Sequence, residues 1–267
     1  MSKTKVTLLT GACGGLGQAF AKELLAKNEP MLLCGTNETR LQALKESLLN
    51  QRPDSIIYTF KLDLSNIENI TDLGEYLKQN NLTIVRLINN AGFITEGSIE
   101  ASDTDTLLQA VRVNCEGTIA LTKLVLSMRD GELKIITVAS MAANYPMPYM
   151  AIYSATKAML KSFMLSLRYE YRKEKVKVTT VLPSAIATSD AMKSAIAAQG
   201  FKGKISCVSP EKIARKSLKA NEHNKATLIP GGFNKFVNFI SKLVPMKLQI
   251  HFIGSSWRKS QNKRDIK

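Results

Sequence analysis

Residues 5–17 read KVTLLTGACGGLG, a short apolar run followed by four glycines and a cysteine. The stretch has two interpretations: the tail of a lipoprotein signal, or a β-strand that ends in a phosphate-binding loop. A secretory signal needs an apolar stretch of about 7–15 residues. The apolar run here is Val6–Leu9, which is interrupted by Thr7 and closed by Thr10. We therefore interpret the stretch as a strand followed by a tight turn.

The glycines of this turn are placed as a phosphate-binding loop requires. Gly11 permits a tight turn, Gly15 lets the backbone approach a pyrophosphate, and Gly17 lets the following helix pack close to the sheet. The N-terminus of that helix offers free N–H groups and a partial positive charge to an anion. A glycine turn alone can belong to any strand-to-helix connection. Its place between the first strand and the first helix predicts a dinucleotide-binding loop.

Along the rest of the chain, short β-like runs alternate with helical patterns. The strand candidates are Val6–Thr10, Met31–Cys34, Ile56–Leu62, Ile84–Asn89, Leu133–Ser140, Val176–Leu182 and Thr227–Ile229. The helical candidates are Leu16–Asn28, Glu38–Asn50, Ile67–Gln79, Asp103–Arg129 and Ile152–Lys173, with a further helix starting near Ser209. This alternation predicts an α/β protein: a Rossmann-type doubly wound parallel sheet of about seven strands with helices on both faces.

Composition excludes several other classes of protein. The chain has 267 residues, of which 45% are apolar and 22% charged, as expected for a globular domain. Its four cysteines lie far apart without a CxxC pair, and neither His223 nor His251 has ligand spacing. We therefore expect no disulfide framework, no metal site and a reducing, cytoplasmic setting. No apolar run reaches the ~18 residues of a transmembrane helix.

Motifs at the ends of successive strands together resemble the short-chain dehydrogenase/reductase family, over roughly residues 4–230. They are the cofactor loop of Thr10, Gly11, Gly15, Leu16 and Gly17, the adenine-contacting pair Asp63 and Leu64, the NNAG motif with Asn90, Ala91 and Gly92, and the tetrad of Asn114, Ser140, Tyr153 and Lys157. The resemblance implies an NAD(P) cofactor, held in part by Tyr153 and Lys157, and a homo-oligomer. It also implies that Asn114 helps to hold a water molecule in a proton relay through Lys157.

The stretch PSAIAT, after the sixth strand, is similar to the family motif PGxxxT. Pro183 and Thr188 match the motif, whereas Ser184 replaces its glycine. If this position needs a positive φ, a serine there is strained. The resemblance implies that Pro183 and Thr188 contact the cofactor and that the backbone of Ile186 faces the nicotinamide carboxamide.

The pair Tyr153 and Lys157 carries the chemistry that we expect. The two residues are spaced i,i+4 on one helix face. A free tyrosine has a pKa near 10, and we expect the lysine ammonium to lower it by favouring the phenolate. Tyr153 can then exchange a proton with a carbonyl or alcohol oxygen, while Ser140 donates a hydrogen bond to the same oxygen. Taken singly, each of these residues can be explained as a surface, capping or structural side chain.

The end of the second strand favours NADP over NAD. An acidic residue there binds the ribose 2′-hydroxyl and rejects a 2′-phosphate, but this chain has Gly35 at that position. Thr36, Asn37 and Arg40 follow and can bind a phosphate. NAD stays open as the alternative cofactor.

Apolar residues flank the predicted catalytic positions. They are Phe93, Ile94, Tyr145, Met147, Tyr149 and Met150, together with Met192, Ile196 and Phe201 in a predicted lid at residues 189–206. Methionine adapts to ligands of irregular shape, so we expect an apolar pocket for a lipophilic ketone or alcohol, acyl- or steroid-like. The same residues can serve ordinary packing.

The C-terminal fifth of the chain is strongly basic. Residues 215–267 contain twelve lysines and arginines against Glu222 and Asp265, within a net charge of +15. Phe233, Phe236, Val237, Ile240, Leu243 and Val244 fall on one face of a helix that Pro245 ends, opposite Lys235 and Lys242. The following MKLQIHFI has an ambiguous period. We divide the chain into a dinucleotide-binding catalytic domain, 1–230, and a basic amphipathic extension, 231–267.

This extension can contact an anionic membrane, cover the substrate cleft or form a subunit contact. It has no recognisable nucleic-acid-binding motif, so we expect no nucleic-acid partner. The sequence thus predicts an NADPH-dependent oxidoreductase that interconverts a carbonyl and a secondary alcohol. The alternatives are a dinucleotide-sensing binding protein without catalysis, and an epimerase or dehydratase on the same fold.

Overall fold

A computed structural model describes residues 3–187 and 205–262. Within these ranges the chain forms a seven-stranded sheet in the order β3-β2-β1-β4-β5-β6-β7, and every neighbouring pair of strands is parallel. The strands are β1 Thr4–Thr10, β2 Met31–Gly35, β3 Ile57–Lys61, β4 Leu82–Asn89, β5 Leu133–Val138, β6 Val176–Val181 and β7 Thr227–Leu228. The predicted doubly wound fold is confirmed, and each predicted strand end lies within two residues of the observed one.

Helices cover both faces of this sheet. The described α-helices are α1 Gly15–Ala26, α2 Glu38–Gln51, α3 Ile67–Gln79, α4 Thr104–Val111, α5 Gly117–Ser127, α6 Ala151–Glu170, α7 Pro210–Glu222, α8 Gly232–Ser241 and α9 Met246–Asn262. Residues of α3, α5 and α6 form one apolar core with the sheet, and residues of α1, α2 and α7 form a second on the opposite face. Because both faces are covered, the central strands are almost completely buried, which explains their continuous apolar sequences.

The helical stretch predicted over Asp103–Arg129 is present but is not a uniform α-helix. It is divided into α4, a π-helical turn at Arg112–Glu116, and α5. Sequence periodicity does not show such a turn because it inserts one residue without breaking the helix. Its cause is tertiary: Asn114 is tied to a neighbouring loop, and Gly117 packs directly on the backbone of Leu64.

A charged network joins the sheet to its helices near the amino-terminal ends of the strands. The buried guanidinium of Arg86, on β4, binds both Glu29 and Glu222. Lys134, on β5, donates to Glu222 at 2.6 Å. Glu29 precedes β2 and Glu222 ends α7, so the network connects distant parts of the chain on the side opposite the carboxyl ends of the strands.

Helix α8 has its asparagines toward the protein and its phenylalanines toward solvent. Asn234 is buried and donates to the carbonyls of Ser206 and Pro230, at 2.9 and 2.8 Å. The Asn238 side chain accepts from Asn144 at 2.8 Å. Of the predicted apolar face, Val237 packs against the core, whereas most of the rest is solvent-exposed. Hydrogen bonds of the asparagines therefore decide which side of α8 contacts the domain.

The ambiguous stretch that begins at Met246 is helical and forms the start of α9. Gln249 donates to the carbonyls of Ser241 and Val244, at 2.8 and 2.7 Å, and so joins α9 to the end of α8 across Pro245. Among the residues that the structure describes, no helix combines the length and hydrophobicity needed to cross a bilayer.

Candidate active site

The predicted site residues gather where the strand order reverses, between β1 and β4. This is where an open parallel sheet forms a crevice beyond its carboxyl ends. Thr10 ends β1, and its hydroxyl oxygen accepts hydrogen bonds from the backbone N–H groups of Asn90 and Ala91, both at 3.0 Å. The Asn90 side chain donates back to the carbonyls of Thr10 and Gly11, at 3.0 and 3.1 Å. The first loop and the NNAG motif thus form one hydrogen-bonded unit.

The glycine loop is shaped by close backbone approaches. Gly11 has φ +62°, and a Cβ there would lie 2.9 Å from the Cα of Ala91. A Cβ at Gly17 would lie 2.1 Å from the carbonyl oxygen of Gly11. Gly17 therefore serves the contact of α1 with its own loop, and not only the contact with the sheet that we expected. Side chains at these two positions would fill the turn.

The N-terminus of α1 is free of side-chain capping. Gly14 occupies the cap position and Gly15 begins the helix, so no side chain accepts from the first N–H groups. The predicted binding residue Leu16 is buried immediately behind. Uncapped N–H groups with the positive end of the helix dipole form a site that suits a phosphate.

The end of β2 has no acidic side chain at Gly35 and has the cation of Arg40 beside it. A Cβ at Gly35 would meet only Leu41, at an ordinary 3.7 Å. Arg40 reaches from α2 to the glycine loop and donates to the carbonyl of Cys13 at 3.1 Å. The Asn37 side-chain oxygen caps α2 by accepting from the N–H of Arg40 at 2.8 Å, and Thr36 is exposed beside it. Arg40 is therefore the best-placed of the three predicted residues to contact a phosphate.

Asp63 and Leu64 follow β3 and lie on the same side of the sheet. The Asp63 carboxylate accepts from the N–H and hydroxyl of Ser65, at 2.9 and 2.6 Å. Leu64 is buried beneath Gly117, where a Cβ would lie only 2.2 Å from the Leu64 carbonyl oxygen. This glycine was not singled out in the sequence, because nothing around it marks so close an approach.

Asn114 lies in the π-helical turn and is completely buried. Its side chain accepts from the N–H of Phe93 and donates to the carbonyl of Phe93, both at 2.8 Å, and it also donates to the hydroxyl of Thr156 at 3.1 Å. The amide is thus occupied by protein contacts. These bonds place its side chain between the NNAG loop and α6; that Asn114 also helps to hold a water molecule stays a prediction.

Lys157 is a buried amine at the centre of the site. Its side chain donates to the carbonyl of Val138 at 3.2 Å, and its nitrogen lies 5.7 Å from the centroid of the Tyr153 ring. A Cβ at Gly92 would come within 3.2 Å of this nitrogen, so the glycine of the NNAG motif makes room for it. Burial lowers the pKa of Lys157 to about 8.

Burial raises the pKa of Tyr153, and the neighbouring Ser140 side chain opposes the rise only in part. Desolvation of the phenol outweighs any lowering by Lys157, so the net lowering of this pKa that we expected is not found. The lysine nitrogen is directed at Val138. Ser140 also accepts from the N–H of Ala142 at 3.1 Å, which fixes its position at the start of a short 3₁₀ turn.

The segment after β6 runs beside this pair. The Pro183 carbonyl accepts from the N–H of Met141 at 2.9 Å, and Ile186 packs at the edge of the core. Ser184 is not among the residues with positive φ, so the strain expected there is absent. The predicted residues Thr188, Met192, Ile196 and Phe201 lie outside the described residues.

Tyr149 is a residue whose importance the sequence did not show. It has φ +65° in the loop before α6, a conformation that is rare for a bulky side chain. Its carbonyl accepts from the N–H of Gly97 at 2.8 Å, and its hydroxyl accepts from Arg258 of α9 at 3.5 Å. Strained backbone of this kind is concentrated at functional sites. A one-dimensional pattern cannot show it because the strain depends on these distant partners.

A cleft of about 510 Å³ lies beside the same loop. Its lining is mostly apolar and consists of Ala143, Asn144, Tyr145, Pro146, Met147, Pro148, Ala151, Ser154, Ala155 and Ala158. The α6 residues among these lie on the face opposite Tyr153 and Lys157. The cleft therefore adjoins the candidate active site without including its reactive groups.

Comparisons with known proteins agree with this geometry. A family model described as short chain dehydrogenase matches residues 5–199. The dehydrogenase/reductase SDR family protein 7-like of Anopheles gambiae is 29% identical over 226 residues, which are 81% of this chain and 71% of that protein.

Among solved structures, a 7beta-hydroxysteroid dehydrogenase superposes with a TM-score of 0.84 at 18% identity, over 95% of this chain and 98% of its own. The L-sorbose reductase of Gluconobacter frateurii, complexed with NADPH and L-sorbose, gives a TM-score of 0.76 at 22% identity, over 86% of this chain and 96% of its own. At these identities the structures support the fold alone.

Proposed function

The chain belongs to the short chain dehydrogenase family, and on this premise we propose that it reduces lipophilic ketones with NADPH, with Tyr153 as proton donor. As a member it is an oxidoreductase that acts on CH–OH or carbonyl groups with an NAD(P) cofactor. The observation that carries the proposal is the buried amine of Lys157, whose nitrogen lies 5.7 Å from the centroid of the Tyr153 ring.

The raised pKa of Tyr153 agrees with a role as proton donor. A phenol whose pKa lies above its usual value stays protonated at neutral pH, and so it can donate to a carbonyl oxygen. Ser140 donates a hydrogen bond to the same oxygen and stabilises the charge that develops on it. The Lys157 ammonium stabilises the phenolate that is left, and Asn114 holds the NNAG loop and α6 in position.

The cofactor fits the crevice on two observations. Gly11 and Gly17 let the loop fold tightly against Ala91 and its own backbone, and the N-terminus of α1 beside it has no side-chain cap. When bound, the nicotinamide supplies the hydride that reduces the carbonyl carbon. Thr10, Gly15, Leu16, Asp63, Asn90, Ala91, Gly92, Pro183, Ile186 and Thr188 complete the proposed binding residues.

The preference for NADPH is supported by the end of β2. Gly35 places no carboxylate there, and Arg40 lies beside the loop as a cation for the 2′-phosphate. Thr36 and the free amide nitrogen of Asn37 are proposed to contribute hydrogen bonds. The sorbose reductase of similar fold is complexed with NADPH.

The preference for a lipophilic substrate is supported by the loop before α6. Tyr145, Met147 and the buried Met150 belong to this loop, and α9 packs against it. The 7beta-hydroxysteroid dehydrogenase of similar fold is named for a lipophilic substrate. A lipophilic substrate partitions into membranes, so the proposal includes contact with a membrane surface. It also includes a homo-oligomer, which rests on the family resemblance alone.

A panel of carbonyl compounds tests the proposal. We expect NADPH to be consumed with steroid-like and long-chain ketones, and NADH to be used less well. The assay follows the absorbance of the reduced nicotinamide, and small polar ketones serve as matched controls. A preference for NADH would contradict the cofactor assignment, and turnover of small polar ketones only would contradict the lipophilic pocket. Product formed without a net change in absorbance would indicate an epimerase or dehydratase.

A further inference from the structure

Exposed apolar side chains are concentrated in one stretch of the described chain. Nine of them lie within residues 233–252: Phe233, Phe236, Phe239, Ile240, Leu243, Met246, Leu248, Ile250 and Phe252. Phe236 and Phe239 are each 61% exposed and Leu243 is 69% exposed. We call these nine side chains together the C-terminal apolar face, although their two-residue spacing on α9 exposes them on more than one side of that helix. Exposed apolar patches of this kind mark interaction surfaces in folded proteins.

This face is held outward by specific contacts. Asn234 and Asn238 bind α8 to the domain on its opposite side, and Asn144 continues that chain to Lys161 of α6, which donates at 2.6 Å. Gln249 then fixes α9 relative to α8. A helix whose polar side is bonded inward cannot bury its phenylalanines by rotating. The apolar face is therefore part of the folded surface.

The sequence segment that carries the face is basic and contains no acidic residue. Between Glu222 and Asp265 the sequence has eight lysines and arginines and no aspartate or glutamate. Lys235, Lys242 and Lys247 are exposed and lie close in sequence to the apolar residues, with Lys235 and Lys242 opposite them on α8. An apolar side together with a lysine-rich polar side is typical of helices that lie in an anionic membrane interface.

The lysines argue against a second copy of the chain, and the apolar residues argue against a nucleic acid, as the binding partner of this face. A second copy in a twofold contact would place its own lysines against these lysines, since the same patch meets itself. A nucleic acid would use the cations but would leave the aliphatic residues in water. We propose that α8 and α9 bind the protein to an anionic phospholipid bilayer, with the phenylalanines in the interface and the lysines at the headgroups.

The bound orientation brings the loop before α6 toward the membrane. A Cβ at Gly254 of α9 would lie 3.2 Å from the Pro148 ring, and Arg258 contacts the Tyr149 hydroxyl. A lipophilic ketone could then reach the site from the bilayer. This consequence rests on the proposed function, whereas the docking itself rests on the surface alone.

Vesicle sedimentation of the full chain tests the docking. We expect the protein to sediment with phosphatidylcholine vesicles that contain about 30% phosphatidylglycerol, and not with phosphatidylcholine alone. Trp257, the single tryptophan, lies half-buried on α9, so its emission should shift to shorter wavelength on the anionic vesicles. Neither readout requires turnover, so failure of docking and failure of the proposed reaction are distinguishable.

Paired variants identify the contributing residues. Phe236→Ser with Phe239→Ser should weaken binding by at least about tenfold, while the control Ile56→Ser with Ile67→Ser, at similarly exposed positions elsewhere, should not. Lys235→Gln, Lys242→Gln and Lys247→Gln together should weaken it more than the same change at Lys212, Lys216 and Lys219. An unchanged circular dichroism spectrum and an unchanged melting temperature show that each variant is folded.

Three results would overturn the inference. The first is equal sedimentation of the wild type and the phenylalanine variant. The second is the absence of any binding to anionic vesicles. The third is a phenylalanine variant that changes the oligomeric state in gel filtration, which would make the face a subunit contact.

Discussion

The side-chain amine of Lys157 is almost completely buried. Within the part of the chain that the structure describes, it donates one hydrogen bond, to the Val138 carbonyl. Burial lowers its pKa from 10.5 to about 8. Such a shift makes the charge of this residue sensitive to pH in the range where an enzyme works. The same burial raises the pKa of Tyr153, so at neutral pH the pair holds a neutral phenol beside an ammonium.

The rate of ketone reduction should depend on pH through the ionisation of Lys157. Below pH about 8 Lys157 is protonated and can stabilise the phenolate that forms. As pH rises through that value the charge is lost, and kcat should fall toward a tenfold decrease per pH unit. Steady-state rates with saturating NADPH between pH 6 and 10 measure the profile. A flat profile up to pH 10 would show that the lysine charge does not contribute.

Gly35 should determine the choice of cofactor. Gly35→Asp has room for its side chain, since only Leu41 lies within 4 Å of the new Cβ. Two negative charges about 4 Å apart repel by about 4 kcal/mol at an effective dielectric constant of 20. The ratio of kcat/KM for NADPH over NADH should therefore fall at least tenfold, with folding unchanged.

The matched control for this variant is Gly35→Asn. It has nearly the same size but no charge, so it should shift the ratio much less. Equal effects of the two variants would show that steric exclusion, and not charge, decides the cofactor.

At the scale of elements, the positions of the strands and the order of the motifs at their ends could be predicted from the sequence. The contacts that shape and orient individual helices could not. Alternating apolar runs and glycine turns are local, so β1–β7 could be located from sequence. The π-helical turn at Arg112–Glu116 depends on bonds from Asn114 to Phe93, and the outward face of α8 depends on Asn234 and Asn238. These partners lie far apart in the chain, so periodicity could not show them.

Gly117 gives a direct test of how α5 is placed. A Cβ there would lie 2.2 Å from the Leu64 carbonyl oxygen, so Gly117→Ala must push α5 away from the segment that contains Asp63. We expect a loss of about 1–3 kcal/mol of unfolding free energy and a higher KM for NADPH. Urea denaturation and steady-state kinetics measure the two effects.

Gly232→Ala is the control for this substitution. Nothing lies within 4 Å of its Cβ, and the residue is helical, so stability should be equal or slightly higher. If Gly117→Ala were as stable as Gly232→Ala, the close packing of α5 on Leu64 would be refuted.

At the scale of the whole molecule, the candidate active site and the buried Arg86 network lie at opposite ends of the sheet. The carboxyl ends of the strands hold the glycine loop, Asn90, Ser140 and the Tyr153–Lys157 pair. The amino-terminal side holds Arg86 with Glu29 and Glu222. The sequence predicted the first group through family motifs, but it did not predict the second because charges far apart in the chain carry no local pattern.

Arg86→Met should lower stability without changing the chemistry. It leaves Glu29 and Glu222 without their shared cation, and because both are partly exposed we expect a loss of about 2 kcal/mol of unfolding free energy. The KM for NADPH and kcat should stay within error of the wild type. Lys78→Met, which breaks the exposed pair with Glu75, should cost less than about 0.5 kcal/mol. Equal losses in the two variants would show that burial adds nothing to the Arg86 network.

The most direct measurement is the rate of NADPH-dependent ketone reduction by Tyr153→Phe, beside Tyr169→Phe, which alters an exposed tyrosine on the same helix. Removing the proton donor should lower kcat by about 10²–10⁴, with NADPH binding and melting temperature unchanged. Tyr169→Phe should react like the wild type. Undiminished turnover by Tyr153→Phe would contradict the proton-donor role on which the proposed function depends.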